Sequence, residues 1–193
     1  IEIFSELNPS ELENVSSLCQ EKIFQAGDPI IDQMSDSREV YFIATGSVRV
    51  INLTPSGKEV TLEVLNEGKC FGELAAIDHG PRSSSVVAIK STRLFLMSSP
   101  NFLKTMERYP SVGLSIMGML VKVIRTSSER ITNLVSLGAN ARVLAEVLSR
   151  VNELRIDNTK NELLIPNFPV HTEIARKAST TRETVTRVLS TLS

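Results

Sequence analysis

The chain has 193 residues, is 41% hydrophobic and 22% charged, and carries a formal net charge of −1. That balance fits one or two ordinary globular domains, and no apolar run reaches the roughly 20 residues of a membrane helix. Two cysteines far apart in sequence, Cys19 and Cys70, exclude a zinc or iron–sulfur site built from thiolates alone and leave free thiols as the reading. The start, Ile1-Glu2-Ile3-Phe4, lacks the basic and long apolar blocks of a signal peptide, so a cytoplasmic chain is expected. Charge is unevenly spread: residues 142–193 hold eight Lys/Arg against six Asp/Glu, leaving thirteen against sixteen in residues 1–141. The direction of that split suits a C-terminal segment that contacts nucleic acid.

In chain order, residues 4–20 read as a short helix, with Asn8 capping, Pro9 at the first helical position and Leu12, Val15 and Leu18 at helical spacing. From about 22 to 98 the texture is β. Val40-Tyr41-Phe42-Ile43, Val48-Arg49-Val50-Ile51 and Val60-Thr61-Leu62-Glu63-Val64 are short strand-like runs, punctuated by Gly27, Gly46, Pro55-Ser56-Gly57 and Gly68. Gly46 and Pro55-Ser56-Gly57 are expected hairpin corners. Several short strands with turn signals between them predict a sandwich or jelly roll.

Residues 71–88, FGELAAIDHGPRSSSVVA, interrupt that pattern with a short helix and a loop. Gly72 can expose backbone N–H groups, Arg82 can hold a phosphate through a forked charge-assisted bond, and Glu73 can accept from a sugar hydroxyl. A surface loop with an incidental ion pair would need the same two residue types, so the whole spelling matters more than the pair.

Residues 100–110 read as a helix presenting Phe102, Leu103 and Met106 on one face. Residues 111–137 form a long helix in which Met117, Leu120, Ile124, Ser127/Ser128, Ile131 and Leu134 recur at spacings of three and four. Such a stripe can pack on the barrel or pair with its twin, and the pairing reading is preferred. Gly138 suits a hinge, Asn140 can cap the next helix, and 141–153 is helical, with Val143, Leu144, Val147, Leu148 and Val151 apolar. Residues 157–161 read as loop and Leu163-Leu164-Ile165 as a strand ended by Pro166. The segment from Phe168 onward reads helix, turn, helix, with Ile174, Ala175, Ala178, Val185, Val188 and Leu189 as its small core and Thr181 capping the second helix. Arg187 follows Arg182 by five residues, about 7.5 Å along a helix axis. Arginine can bond guanine O6/N7 through both arms of its fork, and glutamate can accept from cytosine N4.

Residues 71–88 resemble the phosphate-binding cassette of cyclic-nucleotide-binding domains, and Arg182-Glu183-Thr184-Val185-Thr186-Arg187 resembles the recognition helix of the cyclic AMP receptor proteins. The likeness extends over essentially the whole chain, in the order of the cyclic AMP receptor/FNR-type family of bacterial regulators. It implies an α+β architecture: a jelly-roll domain over 1–110, a dimerisation helix over 111–137, and a winged helix-turn-helix domain over 138–193, with the wing lying beyond Ser193. It implies that Glu73 takes the ribose 2′-OH and Arg82 the cyclic phosphate, with the backbone of Gly72 and Leu74 and the Ser83 hydroxyl completing the nest. Leu62 and Phe71 join the ligand set, and Ser127 and Ser128 reach the base, one of them from the partner subunit. Arg182, Glu183 and Arg187 would read a TGTGA-like half-site; Thr181 and Thr184 belong to the same DNA-facing set, and His171 and Thr172 are candidate phosphate contacts. Departures from the family pattern are Ser127 in place of Thr, Val123 in place of a basic residue, and Ser179 where the turn usually has Gly.

The expected function is therefore a cAMP-responsive homodimeric transcription regulator that binds a double-stranded operator and engages RNA polymerase. Cyclic GMP, cyclic di-GMP, haem-bound gas through His79, or a ligand-free constitutive state are the alternative inputs. No metal site is expected. Catalysis is not expected either, since only His79 and His171 are available as imidazoles and no hydrolase, metalloprotease or Walker spelling occurs.

Overall fold

A computed structural model describes residues 1–53, 59–153 and 168–192. The expected corner at Pro55-Ser56-Gly57, the loop over 157–161 and the strand at Leu163-Leu164-Ile165 lie outside the described residues. The chain divides into two compact units, Ile1–Leu120 and Val121–Ser193.

The first unit opens with a 3₁₀ turn, Glu2–Phe4, and helix α1, Pro9–Ser16. Asn8 and Glu11 form a reciprocal cap: the Glu11 amide donates to Asn8 Oδ1 at 3.0 Å and the Asn8 amide to Glu11 Oε2 at 2.9 Å. The helix is shorter than the sequence pattern suggested because strand pairing takes over at Cys19. Eight strands follow: β1 Cys19–Phe24, β2 Pro29–Ile31, β3 Val40–Thr45, β4 Ser47–Leu53, β5 Glu59–Asn66, β6 Cys70–Phe71, β7 Ser85–Ala88 and β8 Thr92–Met97. They form two antiparallel four-stranded sheets, ordered β1-β8-β3-β6 and β2-β7-β4-β5. The jelly-roll expectation holds.

Strand β3 shows why its sequence is apolar without alternation. Tyr41 and Ile43 join Phe24, Ile31, Val48, Phe71, Val86, Ala88 and Leu94 between the sheets. Val40 and Phe42 point the other way, into a second core with Phe4, Val15, Met97, Phe102, Val112 and Ile116. Both faces are covered, so neither can be polar. The β3–β4 corner is Gly46, at φ +103°, where a Cβ would fall 2.6 Å from Thr92 Cα. Only glycine fits that turn.

Helix α2, Glu73–Asp78, sits between β6 and β7, and α3, Ser99–Arg108, follows β8. The long helix α4, Pro110–Ser136, starts by burying Val112 and Ile116 in the second core. Met119 and Leu120 still pack against that core, and from Val121 onward the large apolar residues are exposed: Ile124 is 64% exposed and Ile131 63%. Packing on the barrel thus accounts for the stripe only as far as Leu120.

The second unit contains α5, Ala139–Glu153, α6, His171–Lys177, and α7, Arg182–Ser190. Val143 is the shared centre, surrounded by Ile174, Ala175, Ala178, Val185 and Val188, with Leu189 at the edge. Asn140 does not cap α5. The helix has already begun at Ala139, the Arg142 amide donates to the Gly138 carbonyl at 3.0 Å, and Asn140 lies inside the first turn.

Candidate functional site: the cassette and the reading head

Strand β6 stops at Gly72, which adopts φ +84° and forms the cap position of α2. Glycine is needed there because that φ strains other residues and a Cβ would sit 2.7 Å from Arg82 Nη1 and 2.9 Å from the Glu39 carbonyl. At its other end α2 stops at His79, at φ +58°, and the Gly80 amide donates to Asp78 Oδ1 at 2.8 Å. That Asx turn sends the chain back through Pro81 to Arg82 beside its own start.

Arg82 is 4% exposed. Its Nε donates to Ser37 Oγ at 3.0 Å, Nη1 to the Gly72 carbonyl at 2.9 Å and Nη2 to the Glu39 carbonyl at 3.0 Å. The Glu39 carboxylate stands 3.7 Å from Nη2, and the guanidinium lies 5.9 Å from the centre of the Tyr41 ring. That ring is itself stacked on Phe71 at 5.1 Å. A guanidinium has five N–H groups. Three are held by these acceptors, so the plane is fixed and one N–H on each terminal nitrogen remains for a forked anion. Burial lowers the Arg82 pKa, opposed by Tyr41, Glu39 and Glu73, but an arginine stays cationic.

Glu73 opens α2 and is partly buried. Burial raises its carboxyl pKa, which its own backbone hydrogen bond and Arg82 partly offset and Glu63 reinforces. A desolvated carboxylate beside a fixed guanidinium suits a hydroxyl donor better than water does. Leu74, Leu62 and Ser83 are exposed and Phe71 buried; the Ser83 carbonyl accepts from Gln33 Nε2 at 3.2 Å. Ser127 and Ser128 are exposed on α4 within the second unit.

In the reading head, Thr181 caps α7 by accepting from the Thr184 amide at 3.3 Å. Arg182, Glu183 and Arg187 are exposed and Thr184 is partly buried. Hydrogen bonds from its own amide and from Thr181 hold the Glu183 carboxyl below its ordinary pKa, so it stays an acceptor. Arg187 Nη2 donates to Asn140 Oδ1 at 3.4 Å. His171 Nδ1 is 2.9 Å from Thr186 Oγ1, tying α6 to α7, and Thr172 is exposed.

Residues 21–109 match the cyclic nucleotide-binding domain family. Over 98% of this chain and 84% of the relative, the sequence is 31% identical to the cyclic AMP receptor protein of Thermus thermophilus. The chain belongs to the cyclic AMP receptor/FNR-type family of transcription regulators. The crystal structure of the Thermus thermophilus catabolite activator protein matches all of this chain and 86% of its own at a TM-score of 0.66. The c-di-GMP responsive global regulator CLP of Xanthomonas campestris shares the fold at a TM-score of 0.71, with 17% identity over 96% of this chain and 91% of its own.

The structure brings Gly72 and Arg82 into contact, with Glu73 next to Gly72 at the start of α2. Sequence reasoning missed Ser37, Glu39 and Tyr41. They lie about forty residues before Arg82, in a polar loop and a core strand whose residue types carry no signal for an arginine partner. A cavity on the first unit, about 250 Å³, is lined by Arg38, Glu39, His79, Ser98, Ser99 and Pro100, so it adjoins the cassette without containing Glu73 or Arg82.

Proposed function

We propose that this family member is a homodimeric, operator-binding transcription regulator whose effector is a cyclic nucleotide, with cAMP the first choice. The observation that carries the proposal is the Arg82 guanidinium. It is buried, fixed in plane by three acceptors and left with one N–H on each terminal nitrogen beside a glycine turn that no side chain could occupy. A cyclic phosphate supplies the paired oxygens that such a fork binds. Glu73 would accept from the ribose 2′-OH, the Gly72–Leu74 backbone and Ser83 hydroxyl would complete the phosphate contacts, and Leu62 and Phe71 would border the ligand. Ser127 and Ser128 would meet the base from α4.

The domain assignment proposed is sensor 1–110, dimer helix 111–137 and reading head 138–193. The exposed stripe on α4 supports pairing with a second copy. Arg182, Glu183 and Arg187 would contact base edges, with Thr181 and Thr184 beside them, and His171 and Thr172 would approach phosphates. RNA polymerase would be the downstream partner. The nucleotide acts only if it binds the DNA-competent state more tightly than the other.

Calorimetric titration of the dimer with cAMP and cGMP, followed by operator binding with each, tests the reading. Saturable cAMP binding that Arg82→Leu abolishes is expected; no binding, or operator affinity indifferent to both nucleotides, would sink it. A ligand-independent regulator is the second reading, favoured by the Glu39 carboxylate already standing 3.7 Å from Arg82. Full operator affinity without nucleotide would select it.

A further inference from the structure

Three backbone carbonyls from two distant stretches converge on one side chain of α5. Arg142 Nη1 donates to the Leu137 carbonyl at 2.8 Å, Nε to the Ala178 carbonyl at 2.8 Å and Nη2 to the Ser179 carbonyl at 3.0 Å. Leu137 directly follows the last residue of α4. Ala178 is the residue that ends α6. Ser179 starts the turn into α7 and takes φ +48°, a conformation that costs a non-glycine residue.

Each acceptor is a helix-end carbonyl or its neighbour, which has no partner within its own helix and carries partial negative charge. A cation is favoured there. Lysine would bring the charge but a single nitrogen, whereas the guanidinium fork reaches three acceptors in one plane. The bonds to Ala178 and Ser179 also hold the Ser179 turn that would otherwise favour glycine. Beside this junction, Lys177 Nζ bridges to Glu146 Oε1 at 3.1 Å, a second tie between α6 and α5. Asn140, two residues before Arg142, accepts from Arg187 of α7.

We infer that Arg142 is a positioning residue that clamps the Gly138 joint, holding the end of α4 to the turn before α7 so that the reading helix follows a movement of α4. The inference rests on the DNA-binding reading of α7. Without this junction, α7 would still fold on the Val143 core, but the joint at Gly138 would be free to turn and α7 would follow α4 only loosely.

The test compares full-length dimers carrying Arg142→Gln and Arg142→Lys with the unaltered protein, using cAMP and a palindromic TGTGA-type duplex. Affinity for cAMP should stay within about twofold, because Arg142 is not in the ligand machinery. The ratio of operator affinities with and without cAMP should fall about tenfold or more in Arg142→Gln and recover only in part in Arg142→Lys. Amide exchange at Leu137, Ser179 and Thr180 should accelerate together in the Gln variant. An unchanged ratio overturns the inference, as does an equal loss of operator affinity with and without cAMP, the signature of a merely structural role. If the unaltered protein ignores cAMP, the effector assignment fails instead. The Arg142 junction is then judged by exchange alone: acceleration shared by Leu137, Ser179 and Thr180 supports it, and acceleration on one side of the junction only overturns it.

Discussion

Gly72 and Arg82 are made for each other's backbone and side chain: the Gly72 carbonyl accepts from Arg82 Nη1 at 2.9 Å, and a Cβ on Gly72 would stand 2.7 Å from that same nitrogen. Gly72→Ala therefore combines a left-handed backbone penalty with a steric push on a buried cation. A loss of about 2–4 kcal/mol of stability is expected, with nucleotide binding abolished. Urea unfolding and calorimetry measure both; a stable variant that still binds cAMP would contradict this account of the turn.

The Glu39 carboxylate stands 3.7 Å from Arg82 Nη2, where it would compete with the proposed phosphate, while its backbone carbonyl holds the same nitrogen in place. Glu39→Gln removes the competing charge and keeps the carbonyl. Because Glu39 is half exposed, solvent screening limits the gain to under about 1 kcal/mol, or roughly a two- to fivefold rise in cyclic-nucleotide affinity. A fall in affinity would show that the carboxylate assists the ligand.

Glu73 predicts a pH dependence with a worked sign. Its folded pKa is raised, so between the ordinary carboxylate pKa and that raised value the folded state holds a proton that the unfolded chain releases. Its contribution to stability therefore falls as pH rises through that window and is flat above it. A ribose hydroxyl needs the ionised carboxylate as acceptor, so nucleotide affinity should rise through the same window and then level off. Titration from about pH 5 to about pH 8 checks this, with Glu73→Gln expected to flatten the profile and weaken binding.

The apolar stripe of α4 stays open after Leu120, with Val135 85% exposed as well as Ile124 and Ile131. Ile124→Asp should shift sedimentation from dimer to monomer and weaken operator binding strongly, since a charge in a helix–helix seam is costly unless paired. Unchanged association would place the dimer contact elsewhere.

On α7, Arg187→Ala should cost about 1–3 kcal/mol in operator affinity and relax preference at one base position. Thr181→Ala should instead cost about 1 kcal/mol of folding stability through the lost cap. Competition assays across half-site variants, alongside thermal melts, separate the two effects.

Much of the molecule was legible because local chemistry is written locally. The Asn8 cap, the Thr181 cap, the short strands with their Gly46 corner, and five of the six buried residues of the reading-head core follow from periodicity and capping spacings of a few residues, while Val143, the sixth, comes from α5. Asn140 was misplaced as a cap because helix starts turn on one residue of backbone, which composition does not resolve.

From sequence, the cassette motif assigned Glu73 and Arg82 to one stretch nine residues apart, and the order of elements established the family's architecture. Which groups orient Arg82 was settled only in three dimensions, by Ser37, Glu39 and Tyr41, because sheet folding brings together residues more than forty positions apart. The same holds for Arg142, whose acceptors are backbone carbonyls. Every residue has a carbonyl, so no side-chain pattern can say which three an arginine will find.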